Sequence, residues 1–326
     1  MLKPSELTPA FSDALAMAIR QRFAPDEVGI AVGDVDVARA FAALPFDHLV
    51  FTGSTEVGRH VMRAAAENLT PVTLELGGKS PAIVGPTYSI EKAARSVSFG
   101  KFLNAGQTCI APDYALVPNA KIADFARAVL AQAERAYPTI DDNADYSNIV
   151  SERHRARLAA ALDEAKAAGA TVLTHAGTAG PNGKIAPTVV LDAPLHGLLM
   201  REEIFGPVLP VIGYANLADA VAFADRFGRP LALYGFVDSK AEQDILLDGI
   251  TSGGVTLNGT LLHIAQDNLP FGGIGPSGMG AYHGEHGFRR FSHARAVHKV
   301  GFANVFEKIG PPYGRLSSLT SKLLAR

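Results

Sequence analysis

The chain has 326 residues, of which 48% are hydrophobic and 19% charged, with a formal net charge of −2. That apolar content at this length builds one large core or two ordinary ones and excludes a disordered chain. With no long basic run and no apolar run long enough to cross a bilayer, the sequence points away from nucleic acid and from a transmembrane segment. One cysteine and no secretory leader predict a cytoplasmic location, so the sequons at Asn68 and Asn258 are read as chance matches.

Helix and strand patterns then alternate along the chain. Thr8-Pro9 reads as an N-cap and first helical residue, with Phe11, Leu15 and Ile19 on one face of the following helix. Residues 48–52 form a short apolar strand ending in Gly53, and 55–67 a helix. Buried strands are predicted at 72–76 and 82–84, and a helix at 90–103. Further helices fall at 120–136, 151–168 and 216–227, with strands at 171–174, 188–191, 208–212, 231–236 and 254–257. This alternation predicts an α/β fold with mainly parallel sheets. The glycine-rich run 272–280 ends the pattern, and 301–326 reads as a peripheral tail. Residues 1–6 lead almost directly into a helix, whereas a nucleotide-binding α/β unit opens on a strand, so upstream sequence is expected to be missing.

Several segments carry candidate chemistry. Cys109 lies in Asn104-Ala-Gly-Gln-Thr-Cys109-Ile-Ala-Pro-Asp-Tyr114, a small-residue loop between a predicted helix and strand. A lone cysteine is a buried small apolar group or a nucleophile, and three further motifs turn the reading toward the second. Gly53-Ser-Thr-Glu-Val-Gly58 follows a strand and opens a helix, where free N–H groups and the helix dipole attract an anion; an ordinary turn is the alternative. In Thr73-Leu-Glu75-Leu-Gly-Gly-Lys-Ser-Pro81 a carboxylate closes an apolar strand, where burial raises its pKa toward that of a general base. A glutamate capping nearby backbone is the other reading. Arg201-Glu202-Glu203-Ile-Phe205-Gly-Pro207 is a paired-acid motif or a solvated turn. Gly273-Ile-Gly275-Pro-Ser-Gly278 fits a dinucleotide pattern literally, but Pro270 precedes it and too little chain follows, so it is read as a tight structural loop. Gly78-Lys79-Ser80 lacks the upstream glycine of a P-loop, and His283 with His286 lack companion metal ligands.

Taken together and in this order, the segments resemble the aldehyde dehydrogenase superfamily, from position 3 to about 290. The motifs are Lys3-Pro-Ser-Glu6, Phe51-Thr-Gly-Ser-Thr-Glu-Val-Gly58, Leu74-Glu-Leu-Gly-Gly-Lys-Ser-Pro81, Gly106-Gln-Thr-Cys109, Glu202-Glu-Ile-Phe-Gly-Pro207 and Pro270-Phe-Gly-Gly273. The forms around Cys109 and Gly275-Pro-Ser-Gly-Met-Gly-Ala-Tyr-His-Gly284 resemble the branch acting on fatty and aromatic aldehydes, with coniferyl aldehyde dehydrogenases its nearest-looking members. The resemblance implies an incomplete Rossmann-like NAD-binding domain over 1–76, an α/β catalytic domain over 77–285, and a bridging segment and tail over 286–326.

It further implies Cys109 as nucleophile and Glu75 as general base. Gly53 and Ser54 would lie at the cofactor pyrophosphate, Lys3 and Glu6 at the adenosine ribose, and Glu203 and Phe205 at the nicotinamide ribose and ring. Asn258 and Phe271 would line the substrate side. The implied reaction is NAD-dependent oxidation of an aldehyde to its acid through a cysteine thioester, with NADP possible and a homodimer or tetramer in the full-length form. A glutamate at the ribose favours NAD by charge repulsion, and the presence of Glu75 speaks against transfer of the thioester to coenzyme A. Family members carry an oxyanion-binding asparagine upstream of the Lys-Pro-Ser-Glu strand, and that segment is outside this chain. The alternative expectation is thus a non-catalytic fragment keeping at most cofactor or partner binding.

Overall fold

The structure, a computed structural model, describes residues 1–177, 183–302 and 304–325. Two compact units divide the chain, Met1–Phe291 and Ser292–Arg326. The first holds two sheets joined by the segment that carries Glu75.

The smaller sheet is built from β1 (Leu49–Thr52), β2 (Val72–Glu75) and β10 (Gly278–Met279) in the order β1-β2-β10. β1 and β2 run parallel, with Thr52 beside Glu75, and β10 is antiparallel to β2, with Gly278 opposite Glu75. Helices α2 (Val35–Ala42) and α3 (Thr55–Ala66) pack here, burying Ala42, Val61 and Ala65 against Leu49, Val72, Leu74 and Leu76. Asp34 caps α2 and Ser54 caps α3, each side chain accepting N–H groups of the first turn.

The larger sheet contains β3 (Pro81–Val84), β4 (Tyr114–Pro118), β5 (Thr171–Thr174), β6 (Thr188–Leu191), β7 (Val208–Tyr214), β8 (Ala232–Phe236) and β9 (Gly254–Leu257). Its order is β5-β6-β7-β4-β3-β8-β9, parallel throughout except for the β5–β6 pair. Strand β3 is wholly buried, as a parallel strand covered on both faces must be. One face packs on α4 (Ile90–Phe102) and α5 (Ile122–Ala136) through Val97, Phe102, Phe125 and Val129. The other packs on α6 (Glu152–Ala167), α8 (Leu217–Asp225) and α9 (Lys240–Gly249) through Leu158, Ala161, Ala220 and Leu246. The short helices α7 (Leu198–Arg201) and α10 (Gly284–Arg290) complete this unit after α1 (Pro9–Arg22). Helices α11 (Val305–Ile309) and α12 (Arg315–Leu324) belong to the second unit.

The α/β architecture and its predominantly parallel sheet agree with the sequence expectation, as does the lack of a strand before α1, and two details differ. Helix α1 buries Ser12, Ala16 and Ile19, leaving Phe11 63% exposed, and Thr8 makes no side-chain cap. The run 272–280 contains β10 and therefore contributes to a sheet. Before α1, Leu2 forms only an isolated parallel bridge with Ile30. The glycines at 273, 275 and 278 form a tight loop, with Ile274 N–H donating to Ser277 Oγ at 2.9 Å. No helix among the described residues is long and apolar enough to cross a membrane.

Candidate active site

The site forms where the chain leaves the smaller sheet and enters the larger one. Strand β2 ends on Glu75, and the Leu76-Gly77-Gly78-Lys79-Ser80 segment links it to β3. Glu75 is 4% exposed, and neither carboxylate oxygen has a hydrogen-bond partner among the described residues. Burial without compensation pushes its pKa up to about 7. Its backbone carbonyl accepts the Gly53 N–H at 3.0 Å, so the turn into α3 starts directly beside it.

Cys109 follows α4 through the turn Leu103–Gly106. Asn104, Ala105 and Gly106 all have positive φ, at 52°, 50° and 74°. A Cβ on Gly106 would stand 2.3 Å from the Gly206 carbonyl oxygen, so only glycine lets these two loops meet. Cys109 then sits in a turn closed by Ala111 N–H on Thr108 O at 2.9 Å. Its half-buried thiol is pushed up to about 11 by burial first, then by the charges of Glu203 and Glu75; backbone N–H groups of Cys109 and Ile110 oppose this. The nucleophile candidate is therefore a thiol at neutral pH, within the electrostatic reach of a carboxylate near half-protonation.

Glu203 lies across the same junction. Its carboxylate packs against Gly77, where a Cβ would stand 1.9 Å from Oε2, and it accepts a hydrogen bond from the Gly78 backbone. Burial and then the Asp113 charge raise its pKa to about 8, while Lys79 and Lys101 pull it back. Lys79 ties the two motif loops together: it pairs with Asp113 and donates to Leu199 O at 2.8 Å and Glu202 O at 3.1 Å. Asp113 Oδ1 in turn accepts the Ile204 N–H at 2.8 Å. Thus a lysine whose motif resembles part of a P-loop is a buried strut. Fully buried Lys101, near these charges, is lowered to about 8 chiefly by desolvation.

A cleft of about 600 Å³ is lined by Thr55, Gly77, Gly78, Glu203 and Pro276 among others, so the start of α3 and Glu203 face one space. Ser54 Oγ caps α3 by accepting Val57 N–H at 3.3 Å, beside the exposed Gly53. Lys3 and Glu6 lie at the Leu2 end of the chain, paired with each other at 3.2 Å. Glu6 is held below the usual carboxylate range by a backbone hydrogen bond first, and by Lys3. Phe205 is half-buried with a φ of 45°. Asn258 spends its side-chain oxygen on Val237 N–H at 2.9 Å.

Sequence reasoning placed Phe271 on the substrate side but not the aromatic cluster gathered around it. Phe271 stacks on His263 at 6.0 Å and on His283 at 5.5 Å, and meets Tyr282 edge-on at 5.8 Å. Tyr282 is pushed up to about 12 by burial first, then by the charges of Glu75 and Cys109. His263 Nδ1 bonds Thr256 Oγ1 at 2.8 Å, and its Nε2 has no partner among the described residues. The sequence signals for this cluster were the Pro270-Phe-Gly-Gly273 and Ala-Tyr-His-Gly284 stretches.

A family model described as the aldehyde dehydrogenase family matches residues 1–297. The chain belongs to the aldehyde dehydrogenase family. A probable coniferyl aldehyde dehydrogenase of Pseudomonas aeruginosa is 50% identical, over 100% of this chain and 68% of that one. The substrate-bound structure of Staphylococcus aureus AldH superposes with a TM-score of 0.90 at 36% identity, over 98% of this chain and 70% of that one. A Mycobacterium tuberculosis aldehyde dehydrogenase complexed with NAD+ gives 0.80 at 30% identity, over 89% of this chain and 61% of that one. The chain thus spans about two thirds of the length of these aldehyde dehydrogenases.

Proposed function

We propose that the chain carries the chemistry of NAD(P)-dependent oxidation of an aldehyde to a carboxylic acid through a thioester on Cys109. The observation that carries this reading is the buried Glu75 carboxylate, neither oxygen hydrogen-bonded among the described residues and with a pKa of about 7, whose charge reaches the Cys109 thiol. Such a group can take a proton at neutral pH and return it. Glu75 accepts the Cys109 proton as the sulfur bonds to the aldehyde carbon, giving a hemithioacetal oxyanion. The nearby N–H groups of Cys109 and Ile110 offer dipoles to negative charge at the sulfur. A bound nicotinamide supplies the acceptor for the hydride that leaves this carbon, and a thioester remains. After the thiol proton has passed from Glu75 to solvent, Glu75 takes a proton from water as its oxygen attacks the thioester; the C–S bond then breaks, the acid leaves, and the proton held by Glu75 returns to the sulfur.

The residues present fit a dinucleotide. Gly53 and Ser54 at the start of α3 offer N–H groups to a pyrophosphate, and Glu203 shares the cleft with that helix end. Lys3 and Glu6 stand for the adenosine ribose; a charged Glu6 favours a free 2′-hydroxyl, hence NAD over NADP. Phe271, Tyr282, His263 and His283 give the substrate side an aromatic wall, which suits an aromatic aldehyde such as coniferyl aldehyde, with a long-chain aldehyde also accommodated by its apolar faces.

The test mixes the purified chain with NAD and coniferyl aldehyde and follows NADH and free acid together. Turnover is expected in wild type and absent in Cys109→Ala. Turnover surviving that substitution would sink the proposal, and nucleotide binding without any turnover would replace it with a binding fragment.

A further inference from the structure

Three consecutive residues of the Glu203-containing loop are held by one helix, and the segment leading into that helix is anchored to the cysteine loop. On α6, His154 Nε2 lies 2.7 Å from the Phe205 carbonyl oxygen, Arg157 Nη2 donates to the Ile204 carbonyl at 2.6 Å, and Leu158 fills the space where a Cβ on Gly206 would sit 2.5 Å away. A carbonyl only accepts, so Nε2 carries the hydrogen and Nδ1 presents its lone pair, 3.4 Å from Arg157 Nε–H. Desolvation lowers the imidazole pKa, which keeps this neutral tautomer in place near neutrality. Just before α6, Gln107 of the cysteine loop donates to Asn148 O at 2.9 Å and accepts Val150 N–H at 2.8 Å. The cysteine loop is thus tied to the segment leading into α6, and the Glu203 loop to α6 itself. The loop it holds is strained, since Phe205 is a bulky non-glycine residue at a φ of 45°.

We propose that His154, seconded by Arg157, is a positioning residue that fixes the Glu203–Phe205 loop at a set offset from the Cys109 loop, and so orients the nicotinamide-binding side of the site toward the thiol. This rests on the assignment of Glu203 and Phe205 to the nicotinamide end. His154 touches neither substrate nor the reacting atoms; it acts through the Phe205 carbonyl. Removing the imidazole frees that carbonyl and lets Phe205 relax toward an unstrained φ, carrying its ring and the neighbouring carboxylate with it.

The experiment uses the whole chain as His154→Ala and His154→Gln, since a glutamine amide can donate to the same carbonyl. One readout needs no nucleotide: amide hydrogen exchange over residues 203–206. It should rise about tenfold in His154→Ala and return toward wild type in His154→Gln, the equivalent of one lost hydrogen bond. The alkylation rate of Cys109 by iodoacetamide without nucleotide, and exchange in β3 and β4, should stay within about twofold of wild type. The second readout is protection of Cys109 from iodoacetamide by NAD, whose half-point should move about tenfold to higher NAD in His154→Ala. Unchanged exchange over 203–206, a uniform rise across the larger sheet, or failure of glutamine to rescue would each overturn the proposal. So would NAD protection identical in wild type and His154→Ala. If wild type shows no NAD protection while exchange still responds to His154, the loop-holding role stands and the cofactor assignment falls.

Discussion

At the scale of single residues, the site depends on one carboxylate kept without a partner. Glu75 has a folded-state pKa of about 7 against an ordinary value of 4.5, so its ionisation is opposed by the fold. The linkage sign follows: below the ordinary value both states are protonated and nothing is lost, and stability falls as pH rises through the folded pKa. Glu75→Gln should therefore match wild type in stability at about pH 4 and gain about 1–3 kcal/mol over it by about pH 8, read by urea unfolding at each pH. The same variant should lose about 10²–10⁴ in steady-state turnover, and its single-turnover burst of NADH should slow as well, because Glu75 takes the thiol proton before hydride transfer and the water proton after it. An NADH burst as fast as in wild type would confine Glu75 to the hydrolysis step. Cys109 and Glu75 were legible because each stands in a contiguous motif. Tyr282 was not, because its electrostatic coupling to Glu75 and Cys109 exists only after strands far apart in sequence have been brought side by side.

Among elements, the junction between the two sheets is held by the buried Lys79–Asp113 pair. Breaking such a pair leaves an uncompensated charge in the interior, at a cost of about 3–5 kcal/mol. Lys79→Met should show that loss in urea unfolding, and Lys79→Met with Asp113→Asn should recover part of it, since an amide oxygen can still accept the Ile204 N–H. A single variant as stable as wild type would show that the ammonium is dispensable and that backbone contacts alone set the loop. Sequence patterning placed β5, β6 and β9 at their observed limits, because β-branched runs between turns leave little choice of boundary. It missed α2, an eight-residue helix whose Asp34 N-cap and apolar stripe are both present in the sequence but which buries only Ala42. It misjudged α1 for a related reason: small residues, Ser12 and Ala16, take the buried face and the larger Phe11 faces outward.

For the whole molecule, the two units suggest separate handling by a protease. Residues 293–300 carry no regular structure and are exposed, and Arg295 and Lys299 lie among them. Limited trypsin should cut there first and leave a fragment close to Met1–Phe291, whose unfolding midpoint equals that of the intact chain. Earlier cleavage inside that unit, or a lowered midpoint, would mean that the tail contributes to its stability. The smaller sheet has a consequence of another kind. Its central strand β2 pairs on one side with β1, close in sequence, and on the other with Gly278 and Met279, about two hundred residues later. On a ribosome the N-terminal strands emerge long before that partner is made. One edge of β2, the strand that ends on Glu75, must therefore wait for about two hundred further residues, while the pair it forms with β1 can close at once. The carboxylate at the centre of the site is made well before the strand that completes its surroundings.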